Sequence, residues 1–154
     1  MIVVSRLHII DRTDYFWIRR IILSLPGFLT LMQKKLTILI VDDNMNFVDR
    51  MINLLEDADN IGYINVGSNY DEGRRLLASE DPDIVLLDIN LPGKNGIELL
   101  KLIRQNNQHC EVIMITNHAD NYYRQQCHEL GAKHFLDKSN DFGLVPGIIK
   151  QVLN

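Results

Sequence analysis

From residue 36 onward, short runs of aliphatic and β-branched side chains alternate with longer segments whose apolar residues recur at helical spacing, and this alternation constrains the fold more than any other feature. Leu36-Thr37-Ile38-Leu39-Ile40-Val41 has no polar face, as a strand covered on both sides requires. Asp42-Asp43-Asn44 ends it and offers helix caps, and Val48, Met51, Ile52 and Leu55 then form one helical stripe. Ile61–Val66 reads as a second strand, and Tyr70, Gly73, Leu76 and Leu77 as a second helix weakened by its internal glycine. Ile84-Val85-Leu86-Leu87-Asp88 is the third strand. The loop through Pro92 and Gly93 leads to a helix that starts at Asn95 or Gly96 and turns Ile97, Leu100 and Ile103 inward. Val112–Thr116 and Phe135–Asp137 give two more strands. Between them lies a helix marked by Tyr123, Cys127 and Leu130, with Tyr122 expected outside and Tyr123 inside. Leu144, Ile148, Ile149 and Val152 are expected to form the last helix, with Pro146 in its first turn.

Strands alternating with helices imply parallel neighbours joined by right-handed crossovers. The expected fold is therefore α/β: a doubly wound, five-stranded parallel sheet in the flavodoxin-like order 2-1-3-4-5. In such sheets ligand chemistry sits at the carboxyl ends of the strands.

Residues 36–154 form the expected domain, and residues 1–35 a leader of different character. The leader holds six Lys/Arg against two Asp, whereas the body holds ten basic and eighteen acidic residues. An acidic body repels phosphate backbones, which argues against nucleic-acid binding. Ile21–Met32 is the longest stretch of the leader clean of charged and amide side chains, and its twelve residues fall short of the roughly 20 that a membrane-spanning helix needs. A surface anchor around Trp17, Arg19 and Arg20, an extra packed helix, and a segment outside the functional fold are the three readings. The last is adopted because Met32-Gln33-Lys34-Lys35 makes a natural polar start before the first strand, so membrane contact is not expected. Cys110 and Cys127 suggest neither a disulfide framework nor a zinc site, and they fit reduced thiols in a cytoplasmic protein.

The strand ends collect Asp42 and Asp43, Asp88, Thr116 and Lys138. In the order 2-1-3-4-5 the first and third strands are neighbours, which brings the acids together. Such a cluster repels itself, and an oxygen-only donor set suits Mg²⁺, which also takes a phosphoryl oxygen readily.

The segments Ile40-Val41-Asp42-Asp43-Asn44, Ile84 to Gly96 with its Asp88-Ile89-Asn90-Leu91-Pro92-Gly93, Met114-Ile115-Thr116 and Gly131 to Lys138 resemble the receiver domain of two-component response regulators, including its single-domain chemotaxis-type members. The resemblance covers the body and not the leader. It implies that Asp88 accepts a phosphoryl group from a phosphohistidine of a sensor histidine kinase or phosphotransfer protein. It further implies that Asp42, Asp43, Asp88 and the backbone carbonyl of Asn90 hold Mg²⁺, with Asp42 acting mainly through its waters. Lys138 would pair with Asp88 and then with a phosphoryl oxygen, while Thr116 would donate its hydroxyl to another. Thr116 and Phe135 would form the switch, which changes the face of the fourth helix, fifth strand and fifth helix. Asn90, Asn117 and His118 would tune the site.

Asn117 stands where the family has a small residue, Ser139 where it commonly has proline after a cis peptide, and Phe135 lacks a tyrosine hydroxyl. A phosphohydrolase of the haloacid-dehalogenase type would need an acid where Asn90 stands, so no multiple-turnover enzyme is expected. The first loop, Asp42-Asp43-Asn44, does not suit flavin or nucleotide phosphates. Sixteen residues follow Lys138, room for one helix, so a stand-alone receiver acting on a downstream protein by protein–protein contact is expected. The resemblance allows a phosphorylation-dependent dimer. The alternative is a receiver-like interaction module that works without phosphorylation.

Overall fold

The computed structural model describes residues 35–154 except 57, 59, 107, 108, 153 and 154. Residues 1–34, and with them every reading of the leader, lie outside the described residues. The strands are β1 (Leu36–Val41), β2 (Ile61–Gly67), β3 (Ile84–Leu87), β4 (Glu111–Thr116) and β5 (His134–Asp137). The helices are α1 (Met45–Glu56), α2 (Tyr70–Glu80), α3 (Gly96–Asn106), α4 (Asn121–Glu129) and α5 (Val145–Val152), with a 3₁₀ turn at Phe142–Leu144. All pairings are parallel, as the alternation of strands and helices implies, and the strand order is β2-β1-β3-β4-β5, the expected flavodoxin-like order.

The all-apolar strands explain the two-sided construction. Side chains alternate across a strand, so Leu39, Val41, Val85, Leu87, Val112 and Met114 form one core with Leu99, Leu100 and Ile103 of α3 and Cys127 of α4. Ile38, Ile40, Ile84, Leu86 and Ile113 form the other, beneath Val48, Met51 and Leu55 of α1 and Val145 and Ile149 of α5. Each fully buried aliphatic side chain contributes roughly 1.5–3 kcal/mol. Among the described residues no helix is long and apolar enough to cross a membrane.

The capping residues act locally as their chemistry dictates. Asn44 Oδ1 accepts from Phe47 N at 3.2 Å at the start of α1, and Asn95 Oδ1 accepts from Glu98 N at 3.1 Å at the start of α3. Tyr122 is exposed and Tyr123 partly buried, as expected. The last helix differs from expectation. The chain makes a 3₁₀ turn over Phe142–Leu144 before α5 begins at Val145, which moves the inward stripe to Val145 and Ile149 and leaves Leu144 55% exposed. Val152 is exposed as well, while Ile148 packs on the core edge.

Candidate functional site

Register alone brings the chemistry together. Val41 pairs with Leu87, so Asp42 and Asp88 leave adjacent strands side by side, and Asp88 N donates to Val41 O at 3.0 Å. Thr116 pairs with Asp137, and Lys138 N donates to Thr116 O at 3.1 Å. The loop after Asp88 folds back onto the start of α3, where Gly96 N donates to Ile89 O at 2.8 Å. A Cβ at Gly96 would stand 1.9 Å from the Asp88 carbonyl oxygen, so only glycine allows this approach.

Asp42, Asp43 and Asp88 each place a carboxylate oxygen within 4.8 Å of the others. Asp42 and Asp88 are buried and Asp43 is exposed at the rim. Lys138, also buried, donates from Nζ to Asp88 Oδ2 at 2.6 Å and lies 2.5 Å from Asp42 Oδ2. The Asp42 contact is an ion pair without hydrogen-bond alignment, so this oxygen stays without a hydrogen bond, while Asp42 Oδ1 accepts from Asn44 N at 3.0 Å. Burial pushes the Asp42 carboxyl above its usual range; the close Lys138 ammonium and the Asn44 amide pull the other way, and the Asp88 charge adds to the rise. Three carboxylates against one ammonium leave the site with an excess of negative charge.

Thr116 is wholly buried, and its Oγ1 accepts from His118 N at 3.2 Å. Asn90 N reaches Asp88 Oδ1 at 3.3 Å, and Asn90 Nδ2 lies 2.7 Å from His118 Nδ1, so the exposed pair bridges two strand ends beside the acids. Asn117 is exposed on the same rim. The peptide between Lys138 and Ser139 is trans. Phe135 is half-buried, with the Arg124 guanidinium 4.8 Å from its ring centroid and Arg124 Nη1 donating to its carbonyl at 2.9 Å. The structure thus gathers Asp42, Asp43, Asp88, Asn90, Thr116, His118 and Lys138 at one end of the sheet.

Three contacts escape sequence reasoning: the pairing of Lys138 with Asp42, the Phe47 ring beneath the Lys138 ammonium, and the Arg124 cover on Phe135. Phe47 carried a weak signal, an aromatic in the first turn after the acidic pair. Arg124 carried none.

The donor set fits a hard divalent ion. It offers oxygens only, it carries excess negative charge, and it includes a buried Asp42 oxygen with no hydrogen bond.

Residues 38–149 match the family model of the response regulator receiver domain. The chain belongs to that family. Receiver domains are signalling modules of two-component response regulators; they generally bind Mg²⁺ in an acidic pocket, interact with histidine kinases or other phosphodonors, and are not themselves enzymes. This receiver domain is 33% identical over 90 residues to the nitrate/nitrite response regulator protein NarL of Escherichia coli K12, a match covering 57% of the chain and 42% of the relative. It is similar to the crystal structure of a LuxR-family two-component response regulator from Aurantimonas sp. SI85-9A1, at TM-score 0.71 and 28% identity, covering 78% of this chain and 86% of that one. A CheY-like receiver domain protein from Methanospirillum hungatei JF-1 superposes at TM-score 0.71 and 26% identity, covering 78% and 94%. The relatives span NarL and LuxR types and do not single out the chemotaxis type expected from the sequence. The receiver domain spans about half the length of these curated relatives, 42% of NarL and 56% of the DNA-binding transcriptional activator EvgA of Escherichia coli K12.

Proposed function

We propose that this receiver domain accepts a phosphoryl group on Asp88 from the phosphohistidine of a sensor histidine kinase or phosphotransfer protein, and passes the change on by protein–protein contact with a downstream protein or a second copy. The observation that carries this reading is the buried Lys138 ammonium held between Asp88 and Asp42, with Asp43 completing an oxygen cluster. A carboxylate oxygen of Asp88 attacks phosphorus, an acyl phosphate forms, and the N–P bond of the donor breaks, with the departing imidazole keeping its electron pair. Such transfer depends on positioning and charge neutralisation rather than on a general base.

Lys138 changes partner from the Asp88 carboxylate to a phosphoryl oxygen, and the Thr116 hydroxyl, now accepting from His118 N, turns to donate to another. Asp42, Asp43 and Asp88, with the carbonyl of Asn90, would hold Mg²⁺, which supplies neutralisation of the phosphoryl charge. Asn90, Asn117 and His118 line the rim that water or a donor must cross, and they tune the lifetime of the acyl phosphate. Thr116 and Phe135 form the switch.

Incubation with acetyl phosphate and Mg²⁺ tests the proposal. The expected result is a mass gain of one phosphoryl group that is absent in Asp88→Asn. A folded wild type that takes up no label from small donors or a kinase overturns it in favour of a phosphorylation-independent interaction module.

A further inference from the structure

Two carboxylates do not account for how the Lys138 ammonium is held. Its Nζ also lies 4.7 Å from the centroid of the Phe47 ring, on the first turn of α1. That ring is 5% exposed and is itself oriented: Phe142 meets it edge to face at 5.7 Å and 78°, and the Arg50 guanidinium lies 4.8 Å from the Phe142 centroid. Lysine to ring, ring to ring and ring to arginine form one stack from the strand ends to the outer side of α1.

We propose that Phe47 is a positioning residue for phosphoryl transfer, its ring face holding the Lys138 ammonium beside Asp88 without neutralising it. This inference rests on the reading of Asp88 as phosphoacceptor.

The chemistry of the ring is what the step needs. A lysine has a flexible four-carbon stem and many rotamers, so an ammonium meant to meet a phosphoryl oxygen has to be held in place beforehand. A further carboxylate there would compete with the phosphoryl oxygen for the cation. An aliphatic side chain would leave a buried charge uncompensated on that side. The negative face of an aromatic ring attracts the cation and leaves its formal charge intact, and such contacts are strongest where water is excluded. Lys138 is 7% exposed, so the contact lies in that regime. Simple filling of the core would explain why Phe47 is buried but not why a charged nitrogen rests on its face.

The test compares labelling by acetyl phosphate and Mg²⁺ in wild type, Phe47→Leu and Phe47→Tyr, with and without Lys138→Met. Phe47→Leu is expected to be about tenfold slower, which corresponds to ~1.4 kcal/mol of transition-state stabilisation. Phe47→Tyr, which keeps the ring, stays within about twofold of wild type. In the Lys138→Met background the leucine substitution should have no further effect. The same tenfold loss without the lysine, or a wild-type rate in Phe47→Leu, overturns the inference. Where the leucine variant fails to fold, pentafluorophenylalanine at position 47 keeps the shape, reverses the charge of the ring face, and should slow labelling at least as much. An independent readout is the NMR shift of the Lys138 ε-methylene protons, expected upfield in wild type and relaxed in Phe47→Leu. Its absence from the wild type overturns the contact whatever the labelling rates. A shift present in a wild type that no donor labels overturns the phosphoacceptor reading, and with it the role of the ring.

Discussion

Asp42 is a carboxylate buried next to a second buried carboxylate, and the one ammonium between them is shared. Burial is the main reason its proton is held more tightly than usual, the Lys138 contacts offsetting part of the effect. A carboxyl that binds its proton more tightly folded than unfolded costs stability in its charged form. The cost grows as pH rises through the interval from the unfolded value to the raised folded value, and it is fully present only above that interval. Asp42→Asn, which keeps the shape, is therefore expected to raise the unfolding temperature at neutral pH in a chelator by on the order of 4 °C, about 1 kcal/mol. The advantage should shrink as pH falls through that interval, and Mg²⁺ should bind more weakly. Thermal unfolding at neutral and acid pH checks the first two, and titration with Mg²⁺ the third. A lower Tm in chelator would mean that pairing with Lys138 outweighs burial. At this scale the sequence shows Asp42, Asp43, Asp88, Thr116 and Lys138, because each directly follows or ends a strand. It does not show which carboxylate Lys138 pairs with, since that depends on rotamers meeting across 50 and more residues of chain.

Helix α2 shows where local propensity misleads. Gly73 reads in sequence as a defect in the helix, yet a Cβ there would stand 2.8 Å from Leu99 Cδ2 and 2.9 Å from Val41 Cγ1. The missing side chain lets α2 lie directly on β1 and α3. Gly73→Ala gains about 1 kcal/mol of helix propensity but overpacks a closed core, a change that costs about 1–3 kcal/mol. The expected net result is a loss of roughly 1 kcal/mol, seen as a lower denaturation midpoint with an unchanged m-value. Val41 immediately precedes Asp42, so Mg²⁺ affinity should fall in the same variant. A higher midpoint would show that the helices move apart freely. The central strands β1, β3 and β4 were legible because nearly unbroken apolar runs have only one use in a domain of this size. The stripe of α5 was not, because the 3₁₀ turn at Phe142–Leu144 shifts which residues face inward, and apolar spacing carries no trace of it.

Across the whole molecule, signalling requires two packings of one sequence and a small energy difference between them. In the switch proposed above they differ at β5, an edge strand that lies next to α4. Arg124 joins the two: its guanidinium covers the Phe135 ring at 4.8 Å and bonds the Phe135 carbonyl at 2.9 Å. In the proposed switch an inward turn of Phe135 would take the ring from under the guanidinium, so this contact would favour the packing seen here. An exposed cation–π contact is worth about 0.5–1 kcal/mol, which is a factor of roughly 2–5 in the population of the other state. If that other state is the one that accepts phosphate, Arg124→Ala should speed labelling by acetyl phosphate by about the same factor. The gain should disappear when Phe135→Leu is added, because no ring is left to release. Labelling rates of the two single variants and the double variant decide it. An unchanged rate in Arg124→Ala, or an equal gain without the ring, would place the switch elsewhere than at β5 and α4.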